Sequence, residues 1–525
     1  TIMKRRSFIG AAALLMSSAL VLAGCSGGSG SDKGDSGSSS GTKEELHVAI
    51  SANPPSLDQQ SINSNIVGGI GVHVYESLFA MNKDYEPTPV LAESYTVSDD
   101  GMTYTIKIRQ GVKFHNGEEM TADDVVASMN RWIEVSAKAN TLIGGSVFEK
   151  VDDYTVNLKV NQASSDIIMI LASPIQAAAI YPQEAVESAT TEGVSEYIGT
   201  GPYKVAEWKQ DQYVKLEAFE DYQPSEGEAS GLAGKKEAAT QTIYYDVVTD
   251  ASTRIAGVQS GEYDVAEEIP IDNYEDLTDD SALTLNVDRG GTLNLFLNTT
   301  EGVMANQTFR QAALAALNCD DIMLAAYGNP DLYELSASWS DPTDVQWGTD
   351  AGSEYYNQHD TEKAKELLKE AGYNNEKIVL VTTQDYPEMY NATLVVQEQL
   401  KQAGINAEVE TYDFSTFMEH RSNPQQFDMF ITSNSYNMLP IQLSVLDSGW
   451  AGLNSSEVSK GIQAIRSAAS DEEAAAAWEK LQKFLYEYSA ATVLGHYTGV
   501  TAMSNDVAGY DYLRFPIYWN VTVAE

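Results

Sequence analysis

Met102-Thr103-Tyr104-Thr105-Ile106-Lys107-Ile108-Arg109-Gln110-Gly111-Val112-Lys113-Phe114-His115-Asn116-Gly117, with Thr121-Ala122-Asp123-Asp124-Val125 close behind, sets three local signals in a row. Tyr104, Ile106 and Ile108 alternate with Thr103, Thr105 and Lys107, the period of a strand with one buried face. Phe114 to Gly117 reads as a turn, in which Gly117 supplies a positive φ. His115 is therefore read as a hydrogen-bonded turn residue, not a ligand. Thr121 caps a helix whose first turn carries Asp123 and Asp124, where acids meet the positive end of the helix dipole.

Similar signals extend outward. Leu46 to Ile50 and Tyr154 to Val160 read as strands, and Tyr203 to Phe219 as two strands around the polar turn Gln210-Asp211-Gln212. Pro224 to Lys236 is a polar, glycine-containing loop. Further on, Asp360 caps a helix with Ala364, Leu367, Leu368 and Ala371 on one face and Gly372 as its stop. Ile378 to Thr382 is a buried-type strand. A helix with Ala392, Val395, Val396, Leu400 and Ala403 inward follows, ending at Gly404, and Ile405 to Thr411 alternates again. Such a unit predicts two parallel strands with a right-handed crossover. Phe427 to Thr432 adds another strand. The first half is strand-rich with long connections, the second half is α/β, and no long repeat is visible.

At roughly 150 residues per domain, 525 residues suggest about three structural units. The net charge of −44 excludes a general phosphate-neutralising role, hence nucleic acid, and argues against docking to anionic lipid through a basic patch. Two cysteines, Cys25 and Cys319, exclude a disulfide scaffold and a multi-cysteine metal cluster. Cys319 lies in the helical run Phe309 to Tyr327 and reads as a structural thiol.

The N-terminus reads as an address. Lys4, Arg5 and Arg6 precede the apolar stretch Ile9 to Ala23, which is short for a membrane span and suits a secretory signal, 1–24. Arg5 and Arg6 also resemble a twin-arginine signal, with ordinary secretion the favoured reading. Leu22-Ala23-Gly24-Cys25 resembles a bacterial lipobox, which implies lipid on the sulfur of Cys25. Within a linker 25–44, Ser26 to Thr42, nearly all Gly, Ser and Asp, buries too little surface to fold and forms a leash spanning roughly 20–25 Å. The expected object is an extracytoplasmic body held at a bacterial membrane by lipid.

Apparent enzyme motifs lack the context they need. Gly24-Cys25-Ser26-Gly27-Gly28 and Gly37-Ser38-Ser39-Ser40-Gly41 match a nucleophile elbow, but lie in the signal and the leash, without the strand and helix the motif needs. The six histidines show no zinc-protease spacing, and Gly231-Leu232-Ala233-Gly234-Lys235 lacks the spacing of a phosphate loop. No catalytic residue, cofactor or metal is assigned.

The body resembles the solute-binding lipoproteins of bacterial ABC importers of the peptide/nickel type. The resemblance rests on Tyr75-Glu76-Ser77-Leu78, Pro89 to Tyr95, Gly101 to Ile106, Arg109 to Gly117 and Thr121 to Val125. It is extended by Gly199 to Tyr203, Gln259 to Asp264, Leu295 to Thr299, Phe309 to Ala312, Ala364 to Tyr373 and Asn454 to Val458. It implies a periplasmic-binding-protein-like α/β clamshell, type II, of the large three-lobed class. One lobe would combine 45–80, 198–288 and 492–525, a subdomain would be inserted at 81–197, and the second lobe would span 289–491.

The resemblance also implies a function: a monomer that captures a peptide-like solute between its lobes and delivers it to ABC permease subunits. Gly290, Gly291 and Gly495 fall at the two crossings and are candidate hinges. Asn63 and Asn65, Glu267 and Glu268, the stretch Ser433 to Asn437 with Asn434 and Tyr436, Trp450, His496 and Tyr497 would line the cleft. Peptide-binding members usually carry an aspartate after the Phe427–Thr432 type of strand. Here no acid stands between Ser433 and Asn437, so Glu268 is the candidate replacement for holding an ammonium. A sensor on the same fold, a binder of sugars or metal chelates, and a surface hydrolase stay open as alternatives.

Overall fold

The structure is a computed structural model that describes residues 41–453 and 455–525. The expected signal 1–24, Cys25, residues 26–40 of the leash, the two elbow-like matches and Asn454 lie outside the described residues. The end of the expected linker needs correction: residues 41–44 are not free but held to the body, where Thr42 bridges Ala524, the Lys43 N–H donates to Val523 O at 2.8 Å and the Lys43 ammonium pairs with Asp264 at 2.8 Å.

An eleven-stranded mixed sheet organises the body. From edge to edge it runs Ala407–Tyr412, Ile378–Thr383, Met429–Ser435, Leu283–Leu297, Ala491–Ser504, Val265–Ala266, Glu45–Ile50, Thr242–Val247, Tyr213–Ala218, Tyr203–Lys209. Tyr333–Glu334 pairs off this path with Ala491–Ser504. The two central strands are long and antiparallel, and they change neighbours along their length. From Gly291 onward the first also pairs with Met429–Ser435, whereas the far end of the second, at Ala502 and Met503, pairs with Val265–Ala266. Burial follows the same change: Leu283–Gly290 are half-buried or exposed, and Gly291–Leu297 are buried. Register slips between Arg289 and Gly291 and between Leu293 and Asn294 bend the pair at this point.

The local signals of the sequence form as read. Ile378–Thr383 and Ala407–Tyr412 are parallel, joined by the helix Pro387–Gln402. Gly372 and Gly404 end their helices at φ 71° and 99°, conformations an L side chain resists. Asp360 accepts the Lys363 backbone N–H at 2.9 Å. One expectation needs correction: Phe309 to Tyr327 is not one helical run but belongs to two helices, Gln307–Ala315 and Cys319–Tyr327. The break occurs because Asn318 turns its side chain onto the backbone N–H groups of Asp320 and Asp321 and caps a new helix. Cys319 is buried there, and burial pushes its thiol up to about 12, far from a nucleophile.

A separate four-stranded antiparallel layer runs Ala92–Val97, Thr103–Ile108, Thr155–Lys159, Val147–Asp152. The helix Ala122–Val135 packs on it through Val125, Met129 and Trp132, with Thr121 and Asp124 forming a reciprocal cap. Gly117 takes φ 89°, and His115 bonds Gly201 O at 3.0 Å through Nε2 and accepts Gly199 N–H at 3.1 Å on Nδ1. Burial holds this imidazole down at about 4, so it is neutral and serves the turn. Arg131 of the layer's helix pairs with the fully buried Asp58 at 2.6 Å, which ties the layer to the segment that precedes it. At its other side, Asp166 meets Arg466 of the helix Ser456–Arg466.

Candidate functional site

Glu45–Ile50 lies parallel to both Thr242–Val247 and Val265–Ala266, so three chain segments leave the sheet at the same edge. In open α/β sheets the carboxyl ends of such strands are where ligands sit. A cavity of about 280 Å³ opens there, lined by Ile50, Tyr245, Glu267 and Glu268. The start of the helix Asn65–Val74 supplies one wall, and Asp288, Gly290, Tyr497 and Val500 of the central strands supply another. The hairpin Asp511–Leu513 with Phe515–Ile517 closes it with Tyr512 and Arg514. This hairpin can approach because Gly68 has no side chain: a Cβ there would overlap the Phe515 ring.

A second cavity of about 260 Å³ adjoins the first, with Asp288, Tyr512 and Arg514 lining both. Tyr85, Arg289, Thr343, Tyr436 and Met438 line it. Its walls come from distant segments that are bonded to each other. Tyr85 donates to Asp341 Oδ2 at 2.8 Å, and Arg289 reaches Glu334 at 2.6 Å and Asp341 at 3.6 Å. Tyr436 and His496 share a hydrogen bond at 2.6 Å, with the imidazole kept neutral by burial, its pKa down at about 4.

The acids of the first cavity are already engaged. Tyr518 donates to Glu267 at 2.6 Å, and burial pushes the Glu267 carboxyl up to about 7. Tyr510 donates to Asp288 at 2.7 Å, and burial raises that carboxyl too. Glu268, exposed at φ 52°, accepts from Ser51. Among the described residues Arg514 has no such partner. Its Nε is buried with no hydrogen-bond partner, and its guanidinium lies 5.2 Å from the Phe515 ring centroid.

Of the residues singled out in the sequence, Asn65, Glu267, Glu268, Gly290, Ser435 and Tyr497 line the first cavity and Tyr436 the second. His496 stands behind Tyr436, and Asn434 accepts from Asn294 at 2.9 Å. Trp450 stacks beneath Arg421, 4.2 Å from the guanidinium carbon to the ring centroid, and lines neither cavity. Asn63 is exposed and Asn437 half-buried, also outside both. Gly290, Gly291 and Gly495 do not take positive φ. Added Cβ atoms would instead overlap the Tyr497 ring, the Asn434 carbonyl and the Met323 side chain, so each allows a close approach.

Sequence reading passed over Tyr85, Asp288, Asp341, Tyr512 and Arg514. Arg514 had one legible signal: it is a lone cation within the aromatic stretch Tyr510 to Trp519 of a strongly acidic chain. Among the described residues no group of three or more His, Cys, Asp or Glu is placed to hold a metal, and no helix is long and apolar enough to cross a membrane. The arrangement is suited to holding a small polar solute: two adjoining cavities, aromatic walls and a few charged tips.

Comparison with known proteins agrees. Residues 86–448 match the sequence profile of the bacterial extracellular solute-binding proteins, family 5 middle region. The chain is 29% identical over 472 residues to the probable peptide ABC transporter periplasmic-binding protein y4tO of Sinorhizobium fredii, covering 86% of this chain and 88% of that protein. It is 32% identical over 379 residues to the glutathione-binding protein GsiB of Escherichia coli O1:K1, covering 70% of each. In three dimensions it resembles the ABC transporter substrate-binding protein CtaP of Listeria monocytogenes, with a TM-score of 0.78, 21% identity, and coverage of 89% and 96%. At that identity the last likeness speaks for the two-lobe fold alone.

Proposed function

The chain belongs to the bacterial extracellular solute-binding proteins, family 5, and from that premise we propose that it is the binding component of an ABC importer for peptides or peptide-like solutes. The observation that carries this reading is the pair of adjoining cavities, the first at the strand ends, walled by segments as distant as Tyr85, Asp288, Tyr436 and Arg514. The relatives support the solute class: one is named for peptide transport, the other for glutathione.

The lobes are 45–80 with 198–288 and 492–525, the inserted 81–197, and 289–491. A guest touches both main lobes only when they are shut, so binding shifts the population toward closure. The shut form, a monomer held by lipid on Cys25 outside the cytoplasm, hands the guest to permease subunits unchanged. Asn65, Glu268, Tyr436 and Tyr497 touch the guest. Asn63, Asn434, Asn437, Trp450 and His496 support the walls.

Native mass spectrometry of the protein as isolated, compared with its denatured mass, tests this. The expected result is a released peptide-like molecule of a few hundred daltons, chemically unaltered after incubation. A guest converted to product, or repeated isolation without any guest and no capture from a peptide mixture, refutes the reading.

A further inference from the structure

We propose that Arg514 is an anchor for a carboxylate on the guest, so that the cleft selects solutes bearing a free carboxyl group. This rests on the solute-binding reading and adds to it the chemistry of one end of the guest.

The chain carries 76 acidic residues against 32 basic ones, so a cleft cation that finds no acid is exceptional in it. Arg289, the nearest cation in sequence to the central crossing, is committed to Glu334 and Asp341. Among the described residues Arg514 forms no ion pair, and its buried Nε–H has no acceptor. Among the described residues none of the acids that line the first cavity, Glu267, Asp288 and Glu268, forms an ion pair with it; each instead accepts a hydroxyl, from Tyr518, Tyr510 and Ser51.

Backbone geometry points the same way. Arg514 is the single residue between two strands that pair Leu513 with Phe515, and it sits at φ 63°. A glycine would occupy that turn without steric cost, so what arginine adds is its side chain, at the price of local strain. That side chain lies at the junction of both cavities. A second cation stands close. Lys138, half-buried in the helix Ala137–Ile143, is brought down to about 8 mainly by burial and then by the charge of Arg514, and it too lacks an acid among the described residues.

A carboxylate fits better than a phosphate. One guanidinium presents a planar fork that a carboxylate meets with two parallel hydrogen bonds. The Glu268 carboxylate and the carboxyls of Glu267 and Asp288, as far as they ionise, repel a doubly charged group more than a singly charged one.

Two measurements test the anchor. First, the full chain is labelled with ¹⁵N-arginine and titrated with sodium propionate, with sodium chloride at equal ionic strength as control. The Arg514 Nε–H signal is assigned by its loss in Arg514→Asn, since Asn tolerates left-handed backbone. It is expected to move saturably with propionate and not with chloride. A signal indifferent to propionate, or equally sensitive to chloride, overturns the anchor.

Second, the protein is offered tripeptides to pentapeptides as free acids and as C-terminal amides. Wild type is expected to prefer the acids by about 30-fold or more, and Arg514→Asn to lose that preference without a lower melting temperature of the empty protein. Equal capture of acids and amides overturns the anchor and leaves the peptide reading standing. Capture of neither, with a propionate response, refutes the peptide reading and leaves the anchor. A lower melting temperature of the empty variant reassigns Arg514 to structure and overturns the proposal.

Discussion

Replacing Arg466 by methionine should open the cleft. Arg466 Nε donates to Asp166 Oδ2 at 3.1 Å and to Ser164 Oγ at 3.2 Å, and Nη2 donates to Leu142 O at 2.8 Å. Beside it the Ser165 backbone N–H and hydroxyl reach the carbonyls of Arg466 and Ile465 at 2.8 and 2.9 Å. The Asp166 side chain is 2% exposed and that of Arg466 19%. This clasp joins the four-stranded layer to the helix Ser456–Arg466. At 3.1 Å and an effective dielectric of about 20, the attraction is ~5 kcal/mol before desolvation. Removing the arginine leaves a buried, unpaired carboxylate, a loss of about 3–5 kcal/mol for the shut form. Opening rehydrates Asp166 and escapes much of that cost, so the shut-to-open ratio should fall by about 100-fold. Small-angle X-ray scattering should show a larger radius of gyration in the guest-free variant, and guest affinity should fall in parallel. Asp166→Asn removes the more deeply buried charge and leaves only the partly exposed Arg466 without its partner, so it should give a smaller effect of the same sign. An Arg466→Met protein with unchanged scattering, affinity and melting temperature would refute the reasoning, because a buried carboxylate cannot lose its cation without consequence.

Glu267→Gln is expected to stabilise the protein at pH 8 and to be neutral at pH 4. The folded carboxyl is raised to about 7 from 4.5, so its ionisation costs about 3 kcal/mol, a penalty that grows as pH rises between those values; chemical denaturation at the two pH values checks it. His73 works in the opposite direction. Nδ1 bonds Gly69 O at 2.9 Å, Nε2 accepts the Tyr518 N–H at 2.8 Å, and burial lowers the group to about 3. Stability is full above the unfolded value of 6.5 and falls as pH drops toward 3, by up to about 1.4 kcal/mol per pH unit; in His73→Gln, followed by urea unfolding, that part of the slope should vanish. Gly291→Ala should cost about 3 kcal/mol, read as a lower melting temperature, because its methyl meets the Asn434 backbone carbonyl, which cannot rotate away.

Much of the secondary structure could be read from the chain itself. The strand around Tyr104, Ile106 and Ile108, the caps at Thr121 and Asp360, and the stops at Gly372 and Gly404 depend on neighbours within a turn or two, and sequence records those neighbours directly. The resemblance of the stretch from Tyr75 to Val125 carried the family for the same reason: its residues serve turns and packing common to the fold. The break at Ala316 to Asn318 was missed because an apolar periodicity survives it, while one asparagine side chain decides it.

The site was only partly legible. Asn65, Glu268, Tyr436 and Tyr497 line the cavities, but nothing local sets them apart from Asn63, Asn437 or Trp450, which do not. Composition alone established an acidic chain with few cations. Which acid is buried, which cation is left without one, and which hydroxyl caps which carboxylate were decided only when residues hundreds of positions apart were packed together. Ion pairing and desolvation act over a few ångströms in space, and the order of residues along a chain does not state those distances.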